Sequence, residues 1–264
     1  MRLYDMFSKN KEYAKAMPRV SARIHSGITD DLDKALFGLF EGTILIITSL
    51  DRTTRTALTL DIALNNAAVY GTPTALFSSV MTSDKMAKQL WLSLCPSEVI
   101  SKNTPLYLEE IGKLTISKLK ERIIKLKDAS LIELVIIDSI DCIYRSEKDE
   151  NDKFDKLYEF VQEMKLFAKE KEIAIILTTS VLNEDIHPKE YAIIAPLAQF
   201  IVSLPMIEPG EDKDKRRITV NKSGDKTDLL VRFDRQRSTF RYMYPEWLEA
   251  KWKKLGKRRH LRHK

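Results

Sequence analysis

The sequence contains little glycine and almost no cysteine, and it lacks an apolar run long enough to cross a membrane. Eight of its 264 residues are glycine, and none lies between residues 43 and 70. Cys95 and Cys142 lie in apolar surroundings without a CxxC partner. We therefore expect two buried, reduced thiols rather than a disulfide or a metal site. The longest apolar runs are strand-sized and the N-terminus lacks a signal-peptide core, which predicts a cytoplasmic protein without a membrane partner.

The last fourteen positions contain no acidic residue, and the basic residues there account for the net positive charge of the chain. Residues 251–264 contain eight lysines and arginines, whereas the formal net charge of the whole chain is only +6. The other 250 residues therefore carry a small negative charge. A basic segment of this kind favours DNA or another polyanion as a partner, and the alternative is a solubilising terminus. We treat residues 246–264 as a basic C-terminal tail.

Hydrophobic residues make up 44% of the chain, which is enough for a full core. They occur mostly as short continuous runs that alternate with amphipathic segments. Continuous runs predict strands buried on both faces, and the alternation predicts a mostly parallel sheet with helices on both sides. The predicted strands are Thr43–Thr48, Thr74–Ser78, Leu134–Ile137, Ile173–Thr178 and Phe200–Leu204, and the predicted helices are Thr56–Val69, Ser83–Leu94, Leu114–Lys127 and Phe154–Glu170.

Two further segments lie at the ends of this alternation. Residues 1–19 predict a short amphipathic helix or linker that precedes one main domain, residues 20–245. Near the end of that domain, Thr219–Asn221 and Leu229–Asp234 flank the residues Lys-Ser-Gly-Asp, a pattern typical of a β-hairpin.

Residues 49–56 have the position of a phosphate-binding loop but not its composition. Such a loop follows G-x-x-x-x-G-K-[ST] between a strand and a helix. Its glycines let N–H groups surround the phosphates, its lysine meets the outer phosphates, and its hydroxyl holds Mg²⁺. Here Ser49 and Thr54 replace the glycines and Arg55 replaces the lysine, so that Thr56 alone keeps the expected type.

These replacements predict a vestigial nucleotide site. The branched Thr54 obstructs the approach of a phosphate, and Asp51 adds a carboxylate where a triphosphate would lie. We assign no catalytic residue, and ATP with Mg²⁺ stays open as a ligand. The candidate nucleotide-binding residues are Ser49, Arg52, Thr54, Arg55, Thr56 and Asp138, of which Thr56 and Asp138 would hold the metal if a magnesium–nucleotide complex binds.

Seven segments between residues 26 and 240 carry a family resemblance through their order. They are Ser26–Asp33 with Gly38-Leu39 and Glu41-Gly42, Asp61–Ala67, Phe77–Met81, Leu134–Asp138, Met164–Glu170, Ser180–Asn183, and Asn221–Gly224 followed by Arg232-Phe233. Together they resemble the C-terminal, RecA-like ATPase domain of DnaB-type replicative helicases. The resemblance implies a RecA-like P-loop NTPase fold that ends in a hairpin. It does not extend to the family's N-terminal helical domain, for which residues 1–19 are too short.

Most of the functional residues of this family are replaced in the present sequence. The carboxylate that activates the attacking water falls at Val80, which cannot accept a proton. Two family glutamines, one of which senses the γ-phosphate, fall at Val181 and Asp141. The hairpin arginine that reaches a neighbouring subunit's nucleotide falls at Lys222, our candidate subunit-interface finger, and the hairpin lysine falls at Val220. Because these positions and the loop all differ together, the resemblance favours a domain that no longer hydrolyses ATP.

We therefore predict a DnaB-like helicase-domain homologue with a degenerate nucleotide site. It would be non-catalytic and associated with DNA or the replisome, with self-association or docking on another helicase ring as further options. One alternative is an active helicase or translocase that uses Arg55, Thr56 and Asp138, and another is a protein–protein interaction module without a nucleic-acid role. The candidate DNA-binding residues are Lys215, Arg216, Arg217, Arg235, Arg237, Lys253, Lys254, Lys257, Arg258 and Arg259.

Overall fold

The computed structural model describes residues 24–36, 39–94, 103–112, 114–143, 150–180, 182, 185–207 and 210–240. The predicted N-terminal helix, the basic tail and Cys95 lie outside these residues. The described strands are β1 (Ile44–Thr48), β2 (Thr74–Ser78), β3 (Leu106–Glu110), β4 (Leu134–Asp138), β5 (Ala174–Thr179), β6 (Phe200–Ser203), β7 (Lys215–Lys222) and β8 (Asp225–Arg232).

Six α-helices connect or flank these strands in the part of the chain that is described. They are α1 (Asp30–Ala35), α2 (Arg52–Asn65), α3 (Ser83–Ser93), α4 (Ile116–Ser130), α5 (Glu150–Lys171) and α6 (Pro188–Ile194). A π-helical turn over Asn66–Tyr70 extends α2 and ends at Gly71, whose φ of 73° is readily adopted by glycine. None of the described helices is both long and apolar enough to cross a bilayer.

The strands form one eight-stranded sheet in the order β3-β2-β4-β5-β1-β6-β7-β8. The pairs from β3 to β6 are parallel, and β7 and β8 add an antiparallel hairpin at one edge. Every residue of β1, β2, β4 and β5 is buried, as expected for central strands with both faces covered. The predicted mostly parallel α/β sheet with a terminal hairpin is confirmed.

Two hydrophobic cores lie on opposite faces of the sheet. Alternate side chains of β1 divide between them, with Leu45 and Ile47 on one face and Ile44 and Ile46 on the other. The first core is closed by α1, α2, α3 and the inner side of the hairpin, and the second by α4, α5 and α6. Because β1, β4 and β5 are adjacent and parallel, the loops at their C-terminal ends meet at one edge of the sheet.

The start of the first long helix differs from the sequence prediction. Helix α2 begins at Arg52 rather than at Thr56, because the Asp51 side chain caps it by accepting from the amides of Thr53 and Thr54. The segment between β1 and α2 is therefore only three residues long. Residues 52–56 are therefore helical rather than part of the loop that follows β1.

Other differences follow from the limits of hydrophobic patterns. The edge strand β3 was not predicted because its residues are only partly buried, and α1 and α6 are too short to show helical periodicity. The hairpin is longer than predicted, with Ser223 and Gly224 at positive φ in a two-residue turn. Cys142 is exposed in a 3₁₀ turn beyond the end of β4, so the prediction of a buried thiol is wrong for this residue.

The C-terminal end of the described chain is hydrogen-bonded to α2 through a buried carboxylate. Asp61 accepts hydrogen bonds from the Thr239 hydroxyl at 2.9 Å and from the Phe240 amide at 2.6 Å. The ring of Phe240 packs against that of Phe233, with centroids 4.8 Å apart. These contacts hold α2 against the segment that follows β8, so α2 is fixed at its centre as well as at its N-terminus.

Candidate functional site

The candidate nucleotide-binding residues come together at the C-terminal ends of β1, β4 and β5. Ser49 directly follows β1, Asp138 is the last residue of β4, and the first turns of α2 bring Arg55 and Thr56 beneath them. All four of these side chains are 9% exposed or less. These four candidates lie close together, and their contacts are with one another and with neighbouring residues of the chain.

The Asp51 carboxylate occupies the N-terminus of α2. Its Oδ1 accepts from the Thr53 amide at 3.0 Å and from the Thr54 amide at 3.3 Å, and its Oδ2 accepts from the Thr54 hydroxyl. The Arg55 amide donates to the Asp51 carbonyl at 3.1 Å. The first amides of a helix are the groups that bind anions in phosphate-binding loops. Here they are bonded to an anion that belongs to the chain.

The Arg55 side chain points into the protein. It is 1% exposed, and its Nη1 donates to the Ser49 carbonyl at 2.7 Å. Its Nε lies 3.9 Å from Asp138 Oδ1, and its Nη2 lies 3.9 Å from Asp141 Oδ2. The Nε has no hydrogen-bond partner among the described residues. One buried cation is thus shared by two buried carboxylates.

Asp138 is held by two hydroxyl groups. The Thr56 hydroxyl donates to its Oδ2 at 2.8 Å, and the Thr178 hydroxyl donates to its Oδ1 at 2.6 Å. Burial raises the pKa of the Asp138 carboxyl, and these hydrogen bonds and the Arg55 charge offset that effect only in part. The two candidate metal ligands, Thr56 and Asp138, are therefore bonded directly to each other.

Asp141 has the opposite electrostatic balance. Burial acts to raise the pKa of its carboxyl, but hydrogen bonds from Thr179 and Ser180 and the charge of Arg55 outweigh burial, so the pKa lies below its ordinary value. The Thr179 hydroxyl donates to Oδ1 at 2.6 Å, and the Ser180 hydroxyl donates to Oδ2 at 2.8 Å. Sequence reasoning missed Thr178 and Thr179, because hydroxyl groups within a buried strand give no separate signal. No group of three or more His, Cys, Asp or Glu residues that could hold a metal occurs among the described residues.

Arg216 joins the hairpin to this site. Its Nε donates to the Thr54 hydroxyl oxygen at 3.3 Å, its Nη1 donates to the carbonyls of Lys213 and Lys215, and its guanidinium lies 4.4 Å from the centre of the Phe233 ring. Burial lowers the pKa of Arg216. Because Arg216 is only 6% exposed, it is removed from the DNA-binding candidates.

The other DNA-binding candidates on the folded domain lie at its surface, and several have acidic neighbours. Lys215 lies 3.3 Å from Asp212, and Arg217 lies 3.3 Å from Glu211. Arg237 lies 3.8 Å from an acid in its own turn, and Arg235 is exposed. The remaining candidates, Lys253, Lys254, Lys257, Arg258 and Arg259, lie outside the described residues.

The remaining sequence-derived positions are placed as follows. Arg52 is exposed in the first turn of α2, and Val80 is half-buried beyond the end of β2. The candidate finger Lys222 lies at the tip of the hairpin with its ammonium 5.4 Å from the centre of the Phe200 ring. Val181 lies outside the described residues.

Solved structures with a similar fold include ATPase domains. One solved ATPase domain gives a TM-score of 0.67 at 14% identity, covering 90% of this chain and 97% of that one. A DnaB-like replicative helicase, solved in a study of its interactions with primase, gives 0.66 at 14% identity, covering 90% of this chain and 68% of that one. A KaiC-like protein from Pyrococcus horikoshii OT3 gives 0.63 at 20% identity, covering 83% and 97%. The chain therefore has the RecA-like ATPase fold.

Sequence comparison narrows this class. Residues 91–191 match the family model described as the DnaB-like helicase C terminal domain. The replicative DNA helicase DnaB of Leifsonia xyli subsp. xyli (strain CTCB07) is 23% identical over 174 residues. That alignment covers 58% of this chain but only 38% of the relative. The chain is therefore similar in sequence to the DnaB-like helicase C-terminal domain, as the ordered motifs predicted.

Replacing the buried cation tests its contribution to stability. We expect Arg55→Met to lower the free energy of unfolding at pH 7 by about 3–5 kcal/mol, because it leaves two buried carboxylates without their shared positive charge. The matched control is Arg52→Met, which removes an exposed arginine three residues earlier. Urea unfolding followed by circular dichroism measures both. A loss no larger than that of the control would contradict the role assigned to Arg55.

The lowered pKa of Asp141 predicts a pH dependence. Since the folded pKa lies below the unfolded value of ~3.9, Asp141 stabilises the fold above that pH, and this contribution is lost as pH falls through the folded pKa. The stability difference between wild type and Asp141→Asn should be largest near neutral pH and should shrink below about pH 4. Asp128→Asn, an exposed acid on α4, is the control. A difference that stays constant or grows with acid would contradict this sign.

Proposed function

We propose that this chain is a DnaB-like domain whose nucleotide site is closed by its own side chains, so that it acts without ATP turnover. The observation that carries the proposal is the Asp51 carboxylate at the N-terminus of α2, bonded to the amides of Thr53 and Thr54. A phosphate at this position would have to displace a tethered carboxylate and then meet the side chain of Thr54. Neither step is needed in a glycine-rich loop.

The other residues of the site also fit a magnesium–nucleotide complex poorly. Arg55, at the position of the phosphate-binding lysine, is turned towards Asp138 and Asp141 and is fully buried. Thr56 and Asp138 hydrogen-bond each other directly, and the described residues contain no group of three or more His, Cys, Asp or Glu that could hold a metal ion. Val80, at the position of the family's catalytic carboxylate, cannot activate a water. We therefore derive no hydrolytic step for this site.

An active helicase or translocase, the alternative function, would require the contacts of Asp51 and Arg55 to break. Asp51 would have to release the helix, and Arg55 would have to leave two carboxylates in the interior. Breaking a buried ion pair typically costs about 3–5 kcal/mol, which a bound nucleotide would have to offset. The contacts observed at Arg55 thus favour the closed site.

For the partner, we propose DNA, bound mainly through the basic residues 251–264 that follow a main domain spanning 20–245. Those residues hold eight cations without an acid, whereas Lys215 and Arg217 on the folded domain each face one. One named relative supports this class of partner, since it is a replicative DNA helicase. A cytoplasmic location belongs to the same proposal, and a purely protein-binding role is the outcome if DNA binding fails.

Nucleotide binding tests the closed site. Isothermal titration of the full chain with ATP and Mg²⁺ should show no binding with a Kd tighter than about 1 mM, because the helix amides are already bonded. Hydrolysis should stay at the buffer level with or without DNA. Asp51→Gly, which frees those amides, is the matched variant and should bind pyrophosphate more tightly than wild type. ATP hydrolysis by wild type that Asp138→Asn abolishes would refute the proposal.

DNA binding tests the partner. Fluorescence anisotropy with labelled single- and double-stranded DNA should show binding by the full chain that weakens by roughly 10³-fold or more between about 50 and 200 mM salt, as counterions are released from several phosphate contacts. Deleting 251–264 should remove most of the affinity. Arg235→Gln with Arg237→Gln is the control on the folded domain and should have a smaller effect. Absence of binding by the full chain at low salt would exclude the DNA role.

A further inference from the structure

The last strand of the sheet has an open edge. Strand β8 pairs with β7 over its whole length, from Lys222 opposite Asp225 to Lys215 opposite Arg232, and no described strand pairs with its other side. A two-residue turn closes on a hydrogen-bonded pair, so residues 225, 227, 229 and 231 direct their backbone groups to β7. The N–H and C=O groups of residues 226, 228, 230 and 232 therefore point to the open edge.

Side chains on the two faces of β8 differ in character. Leu229 and Val231 lie on the face that packs on the core. Asp228, Leu230 and Arg232 lie on the opposite face and are exposed, with Leu230 67% exposed. A leucine that exposed, on a strand whose outer side pairs with no described strand, is the arrangement by which sheet edges recruit another strand.

We propose that β8 pairs with β8 of a second copy of this chain, antiparallel and centred on Leu230. In that register the two Leu230 side chains face each other, and each Asp228 lies opposite an Arg232. On the other face, Leu229 lies opposite Val231. Residues 228, 230 and 232 all direct their backbone groups outward, so their hydrogen bonds match across the new pair. The two-fold symmetry gives each ion pair twice and closes the assembly at two copies.

Charge selects this register over its neighbours. Sliding the pairing by two residues towards the hairpin tip places Lys226 opposite Arg232, which are both cations. Sliding it by two residues the other way places Asp228 opposite Asp234, which are both anions. Like charges directly opposite each other destabilise a strand pair, whereas opposite charges stabilise it. Of these three registers, only the one centred on Leu230 joins opposite charges and also buries the exposed leucine.

This dimer goes beyond the proposed function, and its contacts do not involve the closed site. Sedimentation equilibrium of the full chain, up to roughly 100 µM because single-strand interfaces are small and weak, should show monomers and dimers. Asp228→Arg and Arg232→Asp should each weaken the dimer by roughly tenfold or more, and the double reversal should restore it. Leu230→Lys should weaken it as well. Lys125→Asp on α4 makes the same change of charge on another element and should leave it unaffected.

Circular dichroism and urea unfolding of each variant separate loss of pairing from loss of folding, since the changed side chains are exposed. A wild-type chain that stays monomeric throughout the concentration range would overturn the proposal. So would a dimer or larger ring that neither single reversal weakens, because such an assembly would use another surface. Weakening by both single variants without recovery in the double variant would contradict the register.

Discussion

The contacts of the buried Arg55 guanidinium hold together the C-terminal end of the parallel strands. It lies within 3.9 Å of carboxylate oxygens from Asp138 and Asp141, and it also bonds the carbonyl of Ser49 directly after β1. Two buried carboxylates without this cation would repel each other in a medium that screens charge weakly. One side chain from α2 therefore ties together β1, β4 and the turn after β4, a task that turns it away from the place where a phosphate would bind.

Three separate sets of contacts fix the position of α2. Asp51 caps its N-terminus, Arg55 anchors its first turn, and Asp61 joins its centre to Thr239 and Phe240. Arg216 extends this network to the hairpin through the Thr54 hydroxyl. In the closed site that we propose, these side chains take the place of the contacts that a bound nucleotide would make. This arrangement explains how the fold can persist although the glycines and the lysine of a phosphate-binding loop are missing.

The sequence predicted the central strands well because a strand buried on both faces leaves a continuous apolar run, as in β2 and β4, which the structure confirms within a residue. The grouping of Ser49, Arg55, Thr56 and Asp138 was predictable from their places after adjacent strands. The early start of α2 at Arg52 was missed, since helical apolar spacing begins only later, although the capping pattern of Asp51 was available. The direction of the Arg55 side chain and the hydroxyl partners of Asp138 depend on tertiary packing, for which no local pattern exists.

The amides at the start of α2 are already hydrogen-bonded to Asp51, and this contact can be tested directly. Solution NMR of protein carrying ¹⁵N-threonine reads the amides of Thr53 and Thr54 directly. We expect both amides to be protected from exchange in nucleotide-free protein. Neither resonance should shift when ~5 mM magnesium–ATP is added, a concentration that would occupy even a millimolar site. Rapid exchange of both amides, or a saturable shift of both on adding ATP, would contradict it.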